Sequence, residues 1–228
     1  MSTEIAFDFD KARFNMIEQQ VRPWNVADAK VLALLAEVKR EDFVPAAYKD
    51  VALADLEVPL GHGEGQCMLA PKVEARTLQE LALQPNESVL EIGTGSGYMA
   101  ALLARLCARV VSIEIDPALA QQARANLQAT GVSNAEVRSA DAAANHFAAC
   151  SVGAPFDVIV LSGSVTEVPE DLMTLLKPQG RLFAITGRAP AMRATIVRPA
   201  PGGQQVEQPW DVCAPRLQNF PEPSQFKF

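Results

Sequence analysis

The sequence predicts an α/β fold built on a doubly wound, mostly parallel sheet, with helices ahead of it and an antiparallel hairpin behind it. Three observations carry this. Short apolar runs alternate with segments of helical period from residue 88 to residue 186, the pattern of repeated β-α-β units. The first apolar run, Val89 to Ile92, meets glycines at Gly93, Gly95 and Gly97 and then a helical stretch with Met99, Leu102, Leu103 and Leu106 on one face. After Gly187 the alternation gives way to two extended runs around the turn Pro199-Ala-Pro-Gly-Gly203. At 228 residues and 49% hydrophobic content the chain is long enough for one domain with a sizeable core.

Each element follows from local signals. Residues 1–50 read as a helical extension. Arg13 to Val21 forms a helix ended by Arg22-Pro23, because proline disfavours helix in the residue before it. Asp28 caps a second helix whose apolar face is Val31, Leu32, Leu34, Leu35 and Val38. Residues 51–84 hold a loop and a helix. Three glycines and two prolines between Asp55 and Pro71 exclude helix or central strand there, and the pattern from Lys72 through Val73, Thr77, Leu78 and Leu81 restores helix. A long irregular segment just before the first core strand is a candidate functional loop.

Residues 85–190 are the core. Arg109 to Ile115 reads as a buried strand. Asp116-Pro117 opens a helix as N-cap and first residue, and Gly131 closes it. Further strands are expected at Ala135–Asp141, Phe156–Leu161 and Arg181–Thr186, with a helix from Pro169 to Leu176 stopped by Lys177-Pro178-Gln-Gly180. Residues 191–228 read as a hairpin, Ala194–Arg198 against Gln205–Val212, and an irregular proline-rich tail from Ala214.

Composition excludes several function classes. The net charge is −7 with no basic cluster, which argues against a large nucleic-acid footprint. No apolar run reaches the length of a membrane span. Met1 to Asp10 lacks a basic n-region and an apolar h-region, so it does not read as a signal peptide. Cys67, Cys107, Cys150 and Cys213 form no C-x-x-C pair, and His62 and His146 are too isolated for a metal site. The expectation is a cytoplasmic, reduced, metal-free protein.

The glycine spacing narrows the ligand. A dinucleotide fingerprint would need glycine at position 98, which is Tyr98. The pattern present, Glu91-x-Gly93-Thr94-Gly95-Ser96-Gly97, resembles motif I of the class I S-adenosyl-L-methionine-dependent methyltransferases, a Rossmann-like group. Ligands of doubly wound sheets bind outside the carboxyl ends of the strands. Glu114 at such an end can accept hydrogen bonds from both ribose hydroxyls. Asp141, followed by Ala142, can accept from the exocyclic amine of an adenine. Glu91 either orients the glycine loop or meets the ammonium group of the cofactor. Negative charge also suits a sulfonium cation.

Arg13 to Val44, Pro59-Leu-Gly-His-Gly-Glu-Gly-Gln66, Val89 to Tyr98, Ser112-Ile-Glu114 and Leu176-Lys-Pro-Gln-Gly180 together resemble the protein-L-isoaspartate O-methyltransferases. The resemblance implies methylation of the α-carboxylate of isoaspartyl residues in damaged proteins or peptides, with S-adenosyl-L-homocysteine as the product of the cofactor. In that family the loop before the first strand reads G-Q-T-I-S-x-P. Here it reads Gly65-Gln66-Cys67-Met68-Leu69-Ala70-Pro71, so Cys67 and Leu69 stand where the family has threonine and serine. Gln66 is the orienting donor left in the loop. Cys67 reads either as a small packed residue or as a nucleophile if its pKa were lowered. Three functions fit: the isoaspartyl enzyme with reduced activity, a methyltransferase retuned for a less polar acceptor, and a cofactor-binding protein that recognises a partner without turnover.

Overall fold

A computed structural model describes residues 7–61, 63 and 65–222. His62, most of the segment read for a signal peptide and the last six residues of the tail lie outside the described residues.

The N-terminal extension runs α1 (Phe9–Met16), a π-helical turn at Ile17–Val21, a 3₁₀ turn at Arg22–Trp24 and α2 (Ala29–Glu37). Helical structure therefore continues past Pro23, where the sequence had placed a stop. Pro23 lies in the first turn of the short 3₁₀ piece, where its missing N–H leaves no bond unmade. Asp28 caps α2 as expected, accepting from the amides of Lys30 and Val31, and Val31, Leu32, Leu34 and Leu35 are buried.

Among its described residues the loop segment contains a two-residue ladder, β1 (Val58–Pro59) against β2 (Cys67–Met68), with Pro59 opposite Cys67. α3 (Pro71–Leu81) follows. Then come β3 (Ser88–Ile92), α4 (Tyr98–Leu106), β4 (Arg109–Glu114), α5 (Pro117–Ala129) and β5 (Ala135–Ser139). A short α6 (Ala148–Ser151) leads to β6 (Phe156–Val165), α7 (Glu170–Met173), β7 (Leu176–Arg188), β8 (Ala191–Ala200) and β9 (Gly203–Asp211). Asp116 caps α5 through the amides of Ala118 and Leu119.

Three boundaries differ from expectation. α7 is shorter than the helix read over Pro169–Leu176, α6 was not anticipated, and Lys177-Pro178-Gln-Gly180 belongs to the start of β7. The pairing with β6 jumps from Phe156–Leu176 to Val158–Arg181, so residues 177–180 bulge out of the ladder. A bulge tolerates a proline that a regular central strand does not.

The main sheet has the order β5-β4-β3-β6-β7-β8-β9. β5, β4, β3, β6 and β7 are parallel, and β8 and β9 are antiparallel. Alternation along each strand sends side chains to two cores. Val89, Val110, Val158 and Phe183 face the layer with α2, α3, α4 and α5. Leu90, Val111, Ile159 and Leu182 face a smaller layer with Phe147, Cys150, Leu172 and Phe220. The strand order reverses between β3 and β6, which places a crevice at the carboxyl ends of these strands. Among the described residues no helix is long and apolar enough to cross a membrane.

Candidate active site

A cavity of about 130 Å³ opens at that crevice. Its lining combines Gln66, Cys67 and Leu69 from the loop, Gly93 and Gly95 from the glycine turn, Glu114 after β4, Asp141 and Ala142 after β5, and Ser162 and Gly163 from β6. Most of the sequence-expected residues thus meet around one space, although they are up to 76 positions apart.

The glycine turn is held from below. Glu91 is fully buried and accepts from Ser112 Oγ at 2.6 Å and from Ser162 Oγ at 2.9 Å. Ser112 Oγ lies 2.5 Å from Thr94 Oγ1, so a hydroxyl–hydroxyl bond links the glycine turn to this pair. Burial pushes the Glu91 carboxyl up to about 8 against the opposing effect of the two serine hydroxyls. Glu91 does not line the cavity, so the structure places it behind the glycine turn and favours the loop-orienting role over contact with an ammonium group. Gly97 sits at φ +86 at the start of α4, where a Cβ would lie 3.2 Å from that of Ala123, so glycine meets both the backbone and the packing demand. Thr94 and Ser96 are buried, and the Ser96 carbonyl accepts from Asn126 Nδ2.

Glu114 is 5% exposed. Its Oε2 accepts from the Gly95 amide at 2.8 Å and its Oε1 from the Asp116 amide at 3.0 Å, so it also braces the glycine turn. Burial raises its pKa, and the backbone donors act against that rise. Each carboxylate oxygen keeps a second lone pair for ligand hydroxyls. Asp141 accepts from the Ala143 amide at 3.0 Å and from Asn219 Nδ2 at 2.7 Å.

The loop side is organised by residues that the sequence left unmarked. Arg40 is completely buried. It donates from Nε to the Ala52 carbonyl at 2.9 Å and from Nη2 to the Leu69 carbonyl at 2.7 Å, and it pairs through Nη1 with Glu74 of α3. Desolvation pushes Glu74 up to about 7 even with this guanidinium beside it. The N-terminal extension is therefore wired into the loop at Leu69, beyond simple edge packing. Gln66 Nε2 reaches Asp116 Oδ2 at 3.3 Å, tying the loop to the start of α5. Burial and the neighbouring Glu57 push the Cys67 thiol up to about 12. A thiol with that pKa is protonated at neutral pH, so the structure opposes the nucleophile reading.

The tail supplies the wall that sequence reading missed. Residues 214–220 are irregular as expected, yet they close over the cavity. Ser164 N donates to the Pro215 carbonyl at 2.8 Å, Leu217 N donates to the Ser164 carbonyl at 2.9 Å, and Ser164 Oγ donates to the Ala214 carbonyl at 2.8 Å. Leu217 lies against Gly93 and Gly163, where a Cβ would fall 2.9 and 2.8 Å from its side chain. Phe220 is buried against Phe147. The available signal was Leu217 and Phe220, two large apolar residues spaced by three in a tail without helix or strand pattern.

The family model of protein-L-isoaspartate(D-aspartate) O-methyltransferase matches residues 11–199. Among similar proteins, the protein-L-isoaspartate O-methyltransferase of Methanoculleus marisnigri is 40% identical over 78% of this chain and 78% of its own length. That of Myxococcus xanthus is 43% identical over 71% and 74%. Protein-L-isoaspartate O-methyltransferase 1 of Syntrophobacter fumaroxidans is 38% identical over 87% and 90%. A Plasmodium falciparum structure described as a protein-L-isoaspartate O-methyltransferase in complex with S-adenosyl-L-homocysteine has the same fold. Its TM-score is 0.77 at 20% identity, over 94% of this chain and all of that one. A sheet of this order, a glycine turn braced by buried carboxyls and a match across most of the sequence lead to one assignment: the chain belongs to the protein-L-isoaspartate O-methyltransferase family.

Proposed function

We propose that the chain is an S-adenosyl-L-methionine-dependent methyltransferase that esterifies the carboxylate of isoaspartyl residues in proteins or peptides, with activity reduced by its altered loop. One observation carries the reading: the glycine turn, Glu114 and Asp141 line the same cavity as the Gln66–Leu69 loop. The lining suits such a cofactor. Ile113, Ile115, Leu119 and Ala142 give an apolar bed beside Glu114 and Asp141 for an adenosine group, and side-chain-free Gly93 and Gly95 leave room for an amino-acid group.

When bound, S-adenosyl-L-methionine supplies a methyl group carried on a sulfonium, which is already a good leaving group. An acceptor carboxylate is ionised at neutral pH and needs no general base. The protein's work is then alignment and exclusion of water. Glu114 and Asp141 fix the adenosine end, and the braced glycine turn fixes the other. Gln66 and backbone amides orient the acceptor. Leu69 donates no hydrogen bond, and the loss of a hydroxyl there is worth on the order of 1–3 kcal/mol, a factor of roughly 10 to 100 in rate.

A second reading, a less polar acceptor, draws support from Leu69, which lines the cavity beside a protonated Cys67. Calorimetry with S-adenosyl-L-homocysteine, followed by methyl-ester detection on an isoaspartyl peptide and its aspartyl twin, separates the readings. Ester on the isoaspartyl peptide alone supports the first. Cofactor binding without ester on either peptide directs the search to less polar acceptors, and absence of cofactor binding overturns both.

A further inference from the structure

The two titratable side chains that line the cofactor end of the cavity, Glu114 and Asp141, are both acids, on a protein of net charge −7. An anionic acceptor approaching this space meets repulsion unless a cation stands nearby. Among the described residues one cation lines the cavity, Arg216.

Its place is set by the tail. Pro215 lies against Gly65 of the loop, Leu217 lies against Gly93 and Gly163, and Arg216 itself is bridged to Ser164 at the end of β6. The Arg216 backbone therefore stands where the acceptor loop, the glycine turn and the end of β6 converge, and its side chain lines the cavity while its guanidinium reaches Gly187 at the end of β7. Its Nη2 donates to the Gly187 carbonyl at 2.9 Å, and its Nε lies 3.4 Å from Glu222 Oε1. Its Nη1 is buried and has no hydrogen-bond partner among the described residues.

Glu222 does not neutralise it alone. The same carboxylate pairs with Arg188 at 3.1 Å and accepts from Thr166 Oγ1. Within the Arg188–Glu222–Arg216 group, two guanidinium groups meet one carboxylate, so the group carries one net positive charge. A guanidinium donates through five N–H groups, and one engaged through Nη2 at Gly187 and Nε at Glu222 keeps N–H groups on Nη1 and Nη2 that can meet a carboxylate. A buried donor without a partner is unfavourable, and a turn of the side chain toward the cavity would let an acceptor carboxylate complete it.

We propose that Arg216 is the acceptor-selecting residue of this chain, pairing with the carboxylate of the acceptor and supplying the anion recognition that Leu69 no longer offers. The inference rests on the carboxylate-acceptor reading and narrows it. It also lies outside the part of the chain matched by the family model, which ends at residue 199.

The test uses the full chain loaded with S-adenosyl-L-homocysteine, titrated calorimetrically with an isoaspartyl peptide and separately with succinate as a bare carboxylate probe. It is repeated for Arg216→Gln and Arg216→Lys, alongside steady-state methylation kinetics. Arg216→Gln is expected to weaken peptide and succinate binding and raise the peptide KM on the order of 10- to 100-fold, with kcat and S-adenosyl-L-homocysteine affinity little changed. Arg216→Lys is expected to recover part of the loss, since it keeps the charge and loses the fork. Equal binding of both probes by wild type and Arg216→Gln overturns the proposal. So does a matching loss of S-adenosyl-L-homocysteine affinity, which marks a structural role in the tail, and so does failure of wild type to bind either probe. Arg216-dependent succinate binding without ester on the peptide upholds carboxylate selection and overturns the isoaspartyl reading.

Discussion

Leu69 and Cys67, at the scale of single residues, line the cavity without offering it a hydroxyl. Replacing them together, Cys67→Thr with Leu69→Ser, returns two hydroxyls to the cavity wall. Isoaspartyl methylation is expected to rise by roughly 10- to 100-fold, read as kcat/KM on the isoaspartyl peptide. Unchanged turnover would place the altered chemistry elsewhere in the pocket. Glu91 makes a different prediction. Its folded pKa of about 8 stands above the ordinary 4.5, so the folded chain retains a proton that the unfolded chain releases. The stability from this group is fully present below about pH 4.5, falls as pH rises, and is gone once pH passes through about 8. Glu91→Gln should flatten that part of the profile, measured as the urea midpoint between pH 5 and pH 9. An undiminished slope would assign the dependence to other groups. The acid itself was visible in the sequence as the Glu91-x-Gly93 pattern. Its hydroxyl partners Ser112 and Ser162 were not, because a serine in a strand carries no signal of what faces it across the sheet.

At the scale of elements, Arg40 joins the N-terminal extension to the loop and to α3. Arg40→Met leaves Glu74 buried without its cation and is expected to destabilise the fold by about 3–5 kcal/mol. Adding Glu74→Leu should recover much of that loss, because an apolar pair replaces the ionic one at similar volume. The Leu69 carbonyl stays unmade in both variants, so a raised acceptor KM should persist in the stabilised double variant. Recovery of KM along with stability would show that Arg40 acts on the fold alone. The sequence hid this residue in Lys39-Arg40-Glu41-Asp42, a run that reads as a solvated face. Helix capping was legible, since Asp28 and Asp116 bond to amides two and three residues away. The irregular start of β7 was not, because the bulge at 177–180 depends on which strand it pairs with.

The molecule as a whole closes its site with the end of the chain. Residues 214–222 reach β6, the glycine turn and Asp141 together. Gly163→Ala puts a Cβ 2.8 Å from Leu217 and should lift this segment, weakening S-adenosyl-L-homocysteine by a few-fold or more, as overpacking of about 1–3 kcal/mol implies. Hydrogen exchange at the Ser164 and Leu217 amides should slow when S-adenosyl-L-homocysteine binds. Exchange that ignores the ligand would separate the tail from the cofactor site.

The alternation of strands and helices, the glycine turn, the N-caps and the carboxylates at Glu91, Glu114 and Asp141 were determined by the sequence itself, because each rests on residues within a few positions of one another. Tertiary structure alone decided that Arg40 grips the loop at Leu69, that Glu91 lies behind the turn it orients, and that Leu217 and Arg216 enter the cavity wall. Those outcomes join segments dozens to more than a hundred residues apart, and the burial and charge that give them meaning exist only once the sheet has brought the segments together.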